Sequence, residues 1–183
     1  TFGNYEYYAR VQLDPLLTAL FNTLFLVFIG GILSVAATVL FAFPLSRPVR
    51  EFRGGIVIIY LVVFCIIFLR PIIPLRITHQ IYGLLNSLWA IVFNMLINPF
   101  LVILAITYFK SLPDDIFDAA RIDGANEFST FIRIILPLCK PIVVTIFLFQ
   151  AVGYWNSYLQ AKLLIIDSDL WPIQNFIQNI MAM

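Results

Sequence analysis

Charge is scarce in this chain: 11% of its 183 residues are Asp, Glu, Lys or Arg, where soluble globular domains carry about a quarter. With 62% hydrophobic residues and a mean hydropathy of +0.97, the composition is that of an integral membrane protein. A net charge of +1 supplies neither the basic footprint of a nucleic-acid binder nor a trap for acidic substrates. Histidine is reduced to His79, so metal clusters and Ser-His-Asp triads have almost nothing to build on, and no metal site and no catalytic residue are expected. The two cysteines, Cys65 and Cys139, sit in or beside separate apolar runs and read as small hydrophobes. A G-x-x-x-x-G-K-[ST] loop is missing, and with it any basis for ATP binding by this chain. There is no internal repeat, no coiled-coil heptad, no low-complexity tract, no initiator methionine and no signal-peptide pattern, and the chain is expected to be part of a longer product.

Long apolar runs are what the sequence does contain. Residues 16–43 hold no charge, and at about 1.5 Å per residue they outreach a hydrocarbon core of about 30 Å. Residues 54–69 form a second, shorter run opened by Gly54 and Gly55, and residues 84–109 a third with an expected kink at Pro99. Residues 138–158 form a fourth that ends in the aromatics of a membrane interface, Tyr154, Trp155 and Tyr158. The expected fold is all-α: a polytopic transmembrane helical bundle forming one permease-like domain over 1–183. In the tail, Ile173, Phe176, Ile177 and Ile180 recur at i, i+3, i+4, i+7, which predicts an amphipathic helix over 170–183, too short and polar to span. Basic residues fix the orientation. Arg47, Arg50, Arg53, Lys110, Arg121, Arg133 and Lys140 fall on one side, and Arg10, Arg70, Arg76 and Lys162 on the other. The positive-inside rule makes the first side cytoplasmic.

Between the third and fourth runs lies a polar segment, 110–137, that orientation puts in the cytoplasm. Ser111 and Asp114 have capping-box spacing with Pro113 in the first turn, and Asp114, Asp115 and Asp118 complement a helix N-terminus. Ile116, Ala119 and Ala120 make a small apolar face, and Gly124 breaks the helix. Asn126 caps a second helix with an apolar face of Phe128, Phe131, Ile132 and Ile135, and Leu136 and Pro137 turn the chain back to the membrane. From these residues alone the pair is either a cap on the bundle or a surface for a partner.

Within the spans, Asn94 and Asn98 are expected on one face of the third, and Gln150, Tyr154, Ser157 and Tyr158 on one face of the fourth. Polar groups in lipid pair across helices or face water, so these six are either interhelical contacts or the lining of a solute pathway. Asn22, Ser34 and Thr38 read as packing contacts. No charged residue lies well inside a span, which leaves an ion-coupled route without its usual acidic groups.

The polar segment resembles the EAA loop of ABC importer permeases: Asp118-Ala119-Ala120, Gly124 and Ile134-Ile135-Leu136-Pro137 fall at the spacing of E-A-A, G and I-x-L-P. The first apolar run with its Asn22-Thr23 to Leu45-Ser46-Arg47 frame, GLLNSLWAIVF, LPLCKPIVVTIFLFQAVGYWNSYL and DLWPIQ are similar to segments of the carbohydrate branch, especially the oligosaccharide importers, in the same order. Aspartate stands where the pattern has glutamate, and FLRPIIPLR departs from the glycine-rich stretch usual there. The resemblance implies a six-span permease of which about four spans lie here. It also implies a cytoplasmic helix-turn-helix coupling loop formed by Asp118, Ala119, Ala120, Gly124, Leu136 and Pro137. The implied partners are a nucleotide-binding ATPase subunit that carries ATP and Mg, a second permease, an extracellular solute-binding protein and the lipid bilayer of a prokaryotic cytoplasmic membrane, with no nucleic acid and no cofactor in this chain. A non-sugar solute, an ion-coupled secondary transporter and, more remotely, a membrane enzyme are the alternative readings.

Overall fold

The computed structural model describes residues 2–48, 54–68 and 72–181, and among them it is helical with no strand. Arg50, Arg53 and Arg70 of the orientation count, Leu69 at the end of the second run, and residues 182 and 183 of the tail lie outside the described residues. Helix α1 (Phe2–Phe25) passes through a single π turn, Leu26–Gly30, into α2 (Gly31–Ser46). The stretch Leu13–Ser46 is long and apolar enough to cross a membrane by itself. The second run is α3 (Gly55–Ile67), 13 residues that extend about 20 Å and so fall short of the hydrocarbon thickness.

The third run is two helices. A short α4 (Ile72–Ile81) comes first, then α5 (Leu88–Met95), a break, and α6 (Pro99–Lys110). Pro99 has no N–H to give and its ring excludes the preceding turn, so the chain leaves the helix. Asn98 takes an extended conformation and its Oδ1 accepts the Phe100 N–H at 3.0 Å, which starts the helix again. Asn94 and Asn98 therefore do not share a helical face, contrary to the sequence expectation. The fourth run also differs: α10 (Lys140–Trp155) begins after Cys139 and stops three residues before Tyr158, which opens α11 (Tyr158–Leu164). A tight turn carries the Ser157 N–H to the Tyr154 carbonyl, and the Asn156 side chain bonds the Val152 carbonyl at 2.9 Å, so local polar groups compete with the helix there.

The chain divides into two compact units. One comprises residues Thr1–Leu33, Arg70–Leu96 and Phe149–Met183, and the other Ser34–Leu69 and Ile97–Leu148. The first unit is organised round Tyr154, which is fully buried among Leu26, Ile91, Val92, Ala161 and Ile165. Its hydroxyl donates to the Val92 carbonyl at 3.1 Å, and its ring occupies the space a side chain would fill at Gly30. Phe25 and Trp89 meet edge to face at 5.6 Å in the same unit. Beyond α11, a 3-10 turn (Ser168–Leu170) leads to α12 (Ile173–Met181). This tail helix is amphipathic as expected, but burial does not follow its apolar stripe: Asn175 is buried and Ile173 and Phe176 are half-buried, while Ile177 and Ile180 are exposed along with Gln178 and Asn179. The reason is a bond from Asn175 Nδ2 to the Tyr158 carbonyl at 3.2 Å, together with the Ile173 N–H donating to Thr23 Oγ1 at 2.8 Å; these hold the first turn of the helix against the unit.

Two further polar devices fix this unit. Asn86 sits at φ +61°, a left-handed conformation asparagine tolerates better than most residues, and its Oδ1 accepts from the backbone N–H groups of Ile166 and Asp167 at 3.1 and 2.8 Å. Asn22, expected as a packing contact, donates to the carbonyls of Asp169 and Trp171 at 2.9 and 3.4 Å.

The second unit packs α3 on α6 and gathers α2, α6 and the segment after residue 127 round Phe43, which meets Phe109 edge to face at 6.0 Å and Phe131 at 4.6 Å.

A Cβ added at Gly30 falls 2.8 Å from Tyr154 Cζ, and the ring has nowhere to retreat. Gly30→Ala is expected to destabilise the first unit by about 1–3 kcal/mol, the usual range for overpacking. Thermal unfolding in detergent checks this, and a midpoint equal to that of the parent chain contradicts the close approach.

Candidate functional site

The polar segment folds as a helical hairpin inside the second unit. Helix α7 (Asp114–Ile122) does not use the expected Ser111 cap. Proline disfavours the α conformation in the residue before it, so Leu112 cannot begin a helix and α7 starts beyond Pro113, its N-cap, without a side-chain cap bond. Ser111 instead closes α6, its Oγ donating to the Tyr108 carbonyl at 2.7 Å. Asp114 and Asp115 occupy the first turn, where the helix dipole favours them. At the other end Gly124 has φ +75°, the Gly124 N–H returns to the Arg121 carbonyl and the Ala125 N–H to the Ala120 carbonyl, each at 3.0 Å. That is a Schellman closure, and it needs a residue free to adopt positive φ.

Asn126 then caps the second helix as expected, accepting from the Ser129 N–H at 2.7 Å. Helix α8 (Glu127–Thr130) runs through a π turn, Phe131–Ile135, into α9 (Leu136–Leu138). Of the predicted apolar face, Phe131 and Ile135 are buried, whereas Phe128 and Ile132 are exposed. Ile132 falls within the π turn, whose extra residue shifts the helical phase, so a pattern read with a uniform period misplaces it. Leu136 is half-buried and Pro137 exposed, and the helix breaks at Cys139, two residues later than the sequence suggested.

Helix α7 has two distinct faces. Phe117 and Ala120 are buried and tie it down. The Arg47 guanidinium, at the end of α2, lies over the Phe117 ring with Cζ 3.8 Å from its centroid, and 5.9 Å from that of Phe43. The opposite face is open: Asp115, Asp118, Ala119 and Ile122 stand at i, i+3, i+4, i+7, all exposed, with Ile122 at 86%. Asp118 and Glu127 both approach Arg121, at 3.8 and 3.3 Å, in solvent-exposed pairs that contribute little to stability. So the predicted pair Ala119–Ala120 is split, Ala119 presented outward and Ala120 packed inward. Phe117, Arg47 and Ile122 were missed from sequence. The i, i+3 spacing of Phe117 and Ala120 was the available signal for the buried face. Beside Arg47 a cleft of about 330 Å³ opens, lined among others by Lys110, Asp114 and Phe117.

The predicted pathway residues distribute as follows. Gln150 and Ser157 are buried, and neither Gln150 Nε2 nor Ser157 Oγ has a hydrogen-bond partner. Tyr154 is buried with its hydroxyl on Val92, and Tyr158 is half-buried, its hydroxyl accepting from Lys162 Nζ at 3.0 Å. Gln150 and Tyr154 share a face of α10, while Ser157 and Tyr158 lie past its end. Asn94, half-buried, belongs to the first unit and Asn98 to the second.

Residues 15–183 match the family described as "Binding-protein-dependent transport system inner membrane component". The chain is 36% identical over 180 residues to the polygalacturonan/rhamnogalacturonan transport system permease protein YtcP of Bacillus subtilis, covering 98% of this chain and 62% of that protein. It is 36% identical over 158 residues to protein LplC of the same organism, covering 86% of this chain and 53% of that protein. Among solved structures it superposes with a TM-score of 0.88 and 32% identity on a chain of a bacterial ABC transporter involved in the import of the acidic polysaccharide alginate, covering 94% of this chain and 61% of that one. The chain thus spans between half and two thirds of the length of these relatives, and its fold is that of the helical membrane permeases it matches.

Arg47→Ala is expected to loosen α7 specifically. Loss of a cation–π contact of about 0.5–2 kcal/mol should speed amide exchange across 114–122 by roughly 2- to 30-fold and leave α3 unchanged. Unaltered exchange in α7 contradicts the tether.

Proposed function

Because the chain belongs to the family of binding-protein-dependent transport system inner membrane components, we propose that it is the permease subunit of an ATP-driven importer that carries a carbohydrate, of oligosaccharide size, across the cytoplasmic membrane. Membership makes the chain an inner-membrane component. The solute assignment is supported by relatives named for polygalacturonan/rhamnogalacturonan and diacetylchitobiose transport.

The observation that carries the mechanism is the two-faced hairpin. One face of α7 is anchored in the second unit by Phe117, Ala120 and the stacked Arg47, while the other offers Asp115, Asp118, Ala119 and Ile122 to solvent. An apolar residue as exposed as Ile122, at the end of a rigidly held helix and flanked by carboxylates, suits a groove with an apolar floor and basic rim. In this reading the groove belongs to a partner ATPase, which holds ATP and Mg. Its closure pushes on α7, and Arg47 on Phe117 transmits the displacement to α2. Ala119 permits close approach, Asp118 gives a charged contact, and Gly124, Ala120, Leu136 and Pro137 set the hairpin's shape.

The solute would pass along polar groups that the spans retain: Asn94, Asn98, Gln150, Tyr154, Ser157 and Tyr158. Gln150 and Ser157 support this best, since each holds a buried polar atom without a protein partner, and such atoms cost about 1–3 kcal/mol unless something else meets them. Tyr154 contributes by shape, its hydroxyl being committed to Val92. A second permease and an extracellular solute-binding protein complete the assembly.

Two experiments test this reading. Gentle purification of the tagged full-length protein from its native membrane, followed by mass spectrometry, should recover an ATPase and a second permease; the protein alone, under conditions that preserve other membrane complexes, argues for a self-contained transporter. Asp118→Lys and Ile122→Asp should each lower ATPase recovery by about tenfold or more, the effect of losing a docking contact of at least 1.4 kcal/mol, without changing the yield of the permease. Equal recovery from variants and parent removes α7 as the docking element.

A further inference from the structure

The first unit contains a second concave feature that the coupling reading does not use. Between α11 and α12 lies a cavity of about 360 Å³ lined by Tyr158, Lys162, Trp171, Asn175, Gln178 and Asn179. Its lining comprises two aromatic rings, three carboxamides and one ammonium, with no carboxylate. Helix spacing produces this grouping. Tyr158 and Lys162 stand at i, i+4 on α11, and Asn175, Gln178 and Asn179 at i, i+3, i+4 on α12, so each helix turns one polar stripe toward the same space.

The walls are held by bonds within the unit. Asn175 Nδ2 donates to the Tyr158 carbonyl, Asn22 Nδ2 to the Trp171 carbonyl, and the Ile173 N–H to Thr23 Oγ1. The ammonium is also placed: Lys162 Nζ donates to the Tyr158 hydroxyl at 3.0 Å and lies 5.5 Å from the ring centroid. A lysine carries three N–H donors, and this bond uses one of them. Two further lining residues keep unmatched polar atoms, Trp171 Nε1 as donor and Asn175 Oδ1 as acceptor, both buried and without a hydrogen-bond partner.

Such a set fits a ring that is apolar on its faces, hydroxylated at its edge and negatively charged at one substituent. We propose that this cavity binds a uronic-acid unit of an acidic oligosaccharide, with its carboxylate on Lys162, its hydroxyls on Gln178, Asn179 and Asn175, and a ring face toward Trp171. The volume is at the small end of the about 300–1,000 Å³ typical of ligand pockets, so the site takes a short saccharide segment and leaves the rest of the chain outside. Lys162 thereby becomes the residue that separates acidic from neutral sugars. The proposal rests on the carbohydrate-importer reading and adds the charge class of the solute and the residue that selects it.

The test uses the complete transporter, with its second permease, ATPase and binding protein, reconstituted in lipid vesicles and given labelled oligogalacturonide or its methyl ester, the same sugar with the charge removed. The parent transporter should take up the acid with the lower KM. Lys162→Met should raise the KM for the acid about tenfold or more, the scale of one charge-assisted hydrogen bond, and leave the ester's KM unchanged, while Lys162→Arg should retain most of the preference. An unchanged KM for the acid in Lys162→Met, an equal loss for both substrates, or a parent that carries only the ester each overturns the uronate site and leaves the importer reading intact. A parent that takes up neither sugar overturns the uronate site, and the carbohydrate-importer reading falls with it only if a panel of neutral oligosaccharides is refused as well.

Discussion

In a chain this apolar, a helix that stops inside lipid or inside the protein must find partners for the backbone groups it frees, because water is not there to supply them. Several polar side chains near helix ends answer that constraint. Asn98 restarts a helix after the Pro99 break, Asn126 starts α8, and Ser87 accepts the Trp89 N–H at the head of α5. Asn86 receives two consecutive N–H groups from the segment before the 3-10 turn, and Asn22 and Thr23 meet the backbone on its far side. Several interruptions of helices are thus paired with a short polar residue close by in space, whereas α7 starts at Pro113 with no side-chain cap.

The same constraint bears on the mechanical role proposed for α7. Its closure at Gly124 and its start at Pro113 make it a nine-residue element too short to persist alone. What holds it is tertiary: Phe117 and Ala120 are buried, and the Arg47 guanidinium lies over the Phe117 ring. A surface helix fixed on one side and bare on the other transmits a push from the bare side to whatever fixes it. Here that is the end of α2, continuous with the one stretch among the described residues long and apolar enough to cross a membrane by itself. The exposed Asp118–Arg121–Glu127 cluster adds little to this, being screened by solvent.

Among the described residues, buried polar atoms without partners are Thr38 Oγ1 on α2 and four on which the proposed solute contacts draw: Gln150 Nε2, Ser157 Oγ, Trp171 Nε1 and Asn175 Oδ1. The residues of these four fall along α10 and just past its end, or at the cavity between α11 and α12, where amides and aromatic rings face one space. The tail helix belongs to the same pattern, since Asn175 is held inward and Gln178 and Asn179 line the cavity beside it, while Ile177 and Ile180 are exposed.

Much of this was legible in the sequence, where signals are local. The absence of charge across 16–43 gave a span, Pro99 a break, Gly124 a left-handed turn and Asn126 a cap, because hydropathy, a missing N–H, a missing Cβ and a short acceptor side chain act within one or two turns. The sequence also yielded the spacing of Asp118-Ala119-Ala120 and Gly124, and with it the family resemblance. It could not say that Ser111 closes α6 instead of opening α7, that Ala119 faces out while Ala120 faces in, or that Phe128 and Ile132 leave the apolar face. Nor could it bring Arg47 to Phe117 or Tyr154 to Gly30. Those outcomes depend on which groups distant segments place opposite one another, and on π turns that shift the helical phase by a residue. Packing and hydrogen-bond satisfaction are settled only when the whole unit closes, so the tertiary structure alone decided which of the legible residues hold the fold and which remain available to a partner or a solute.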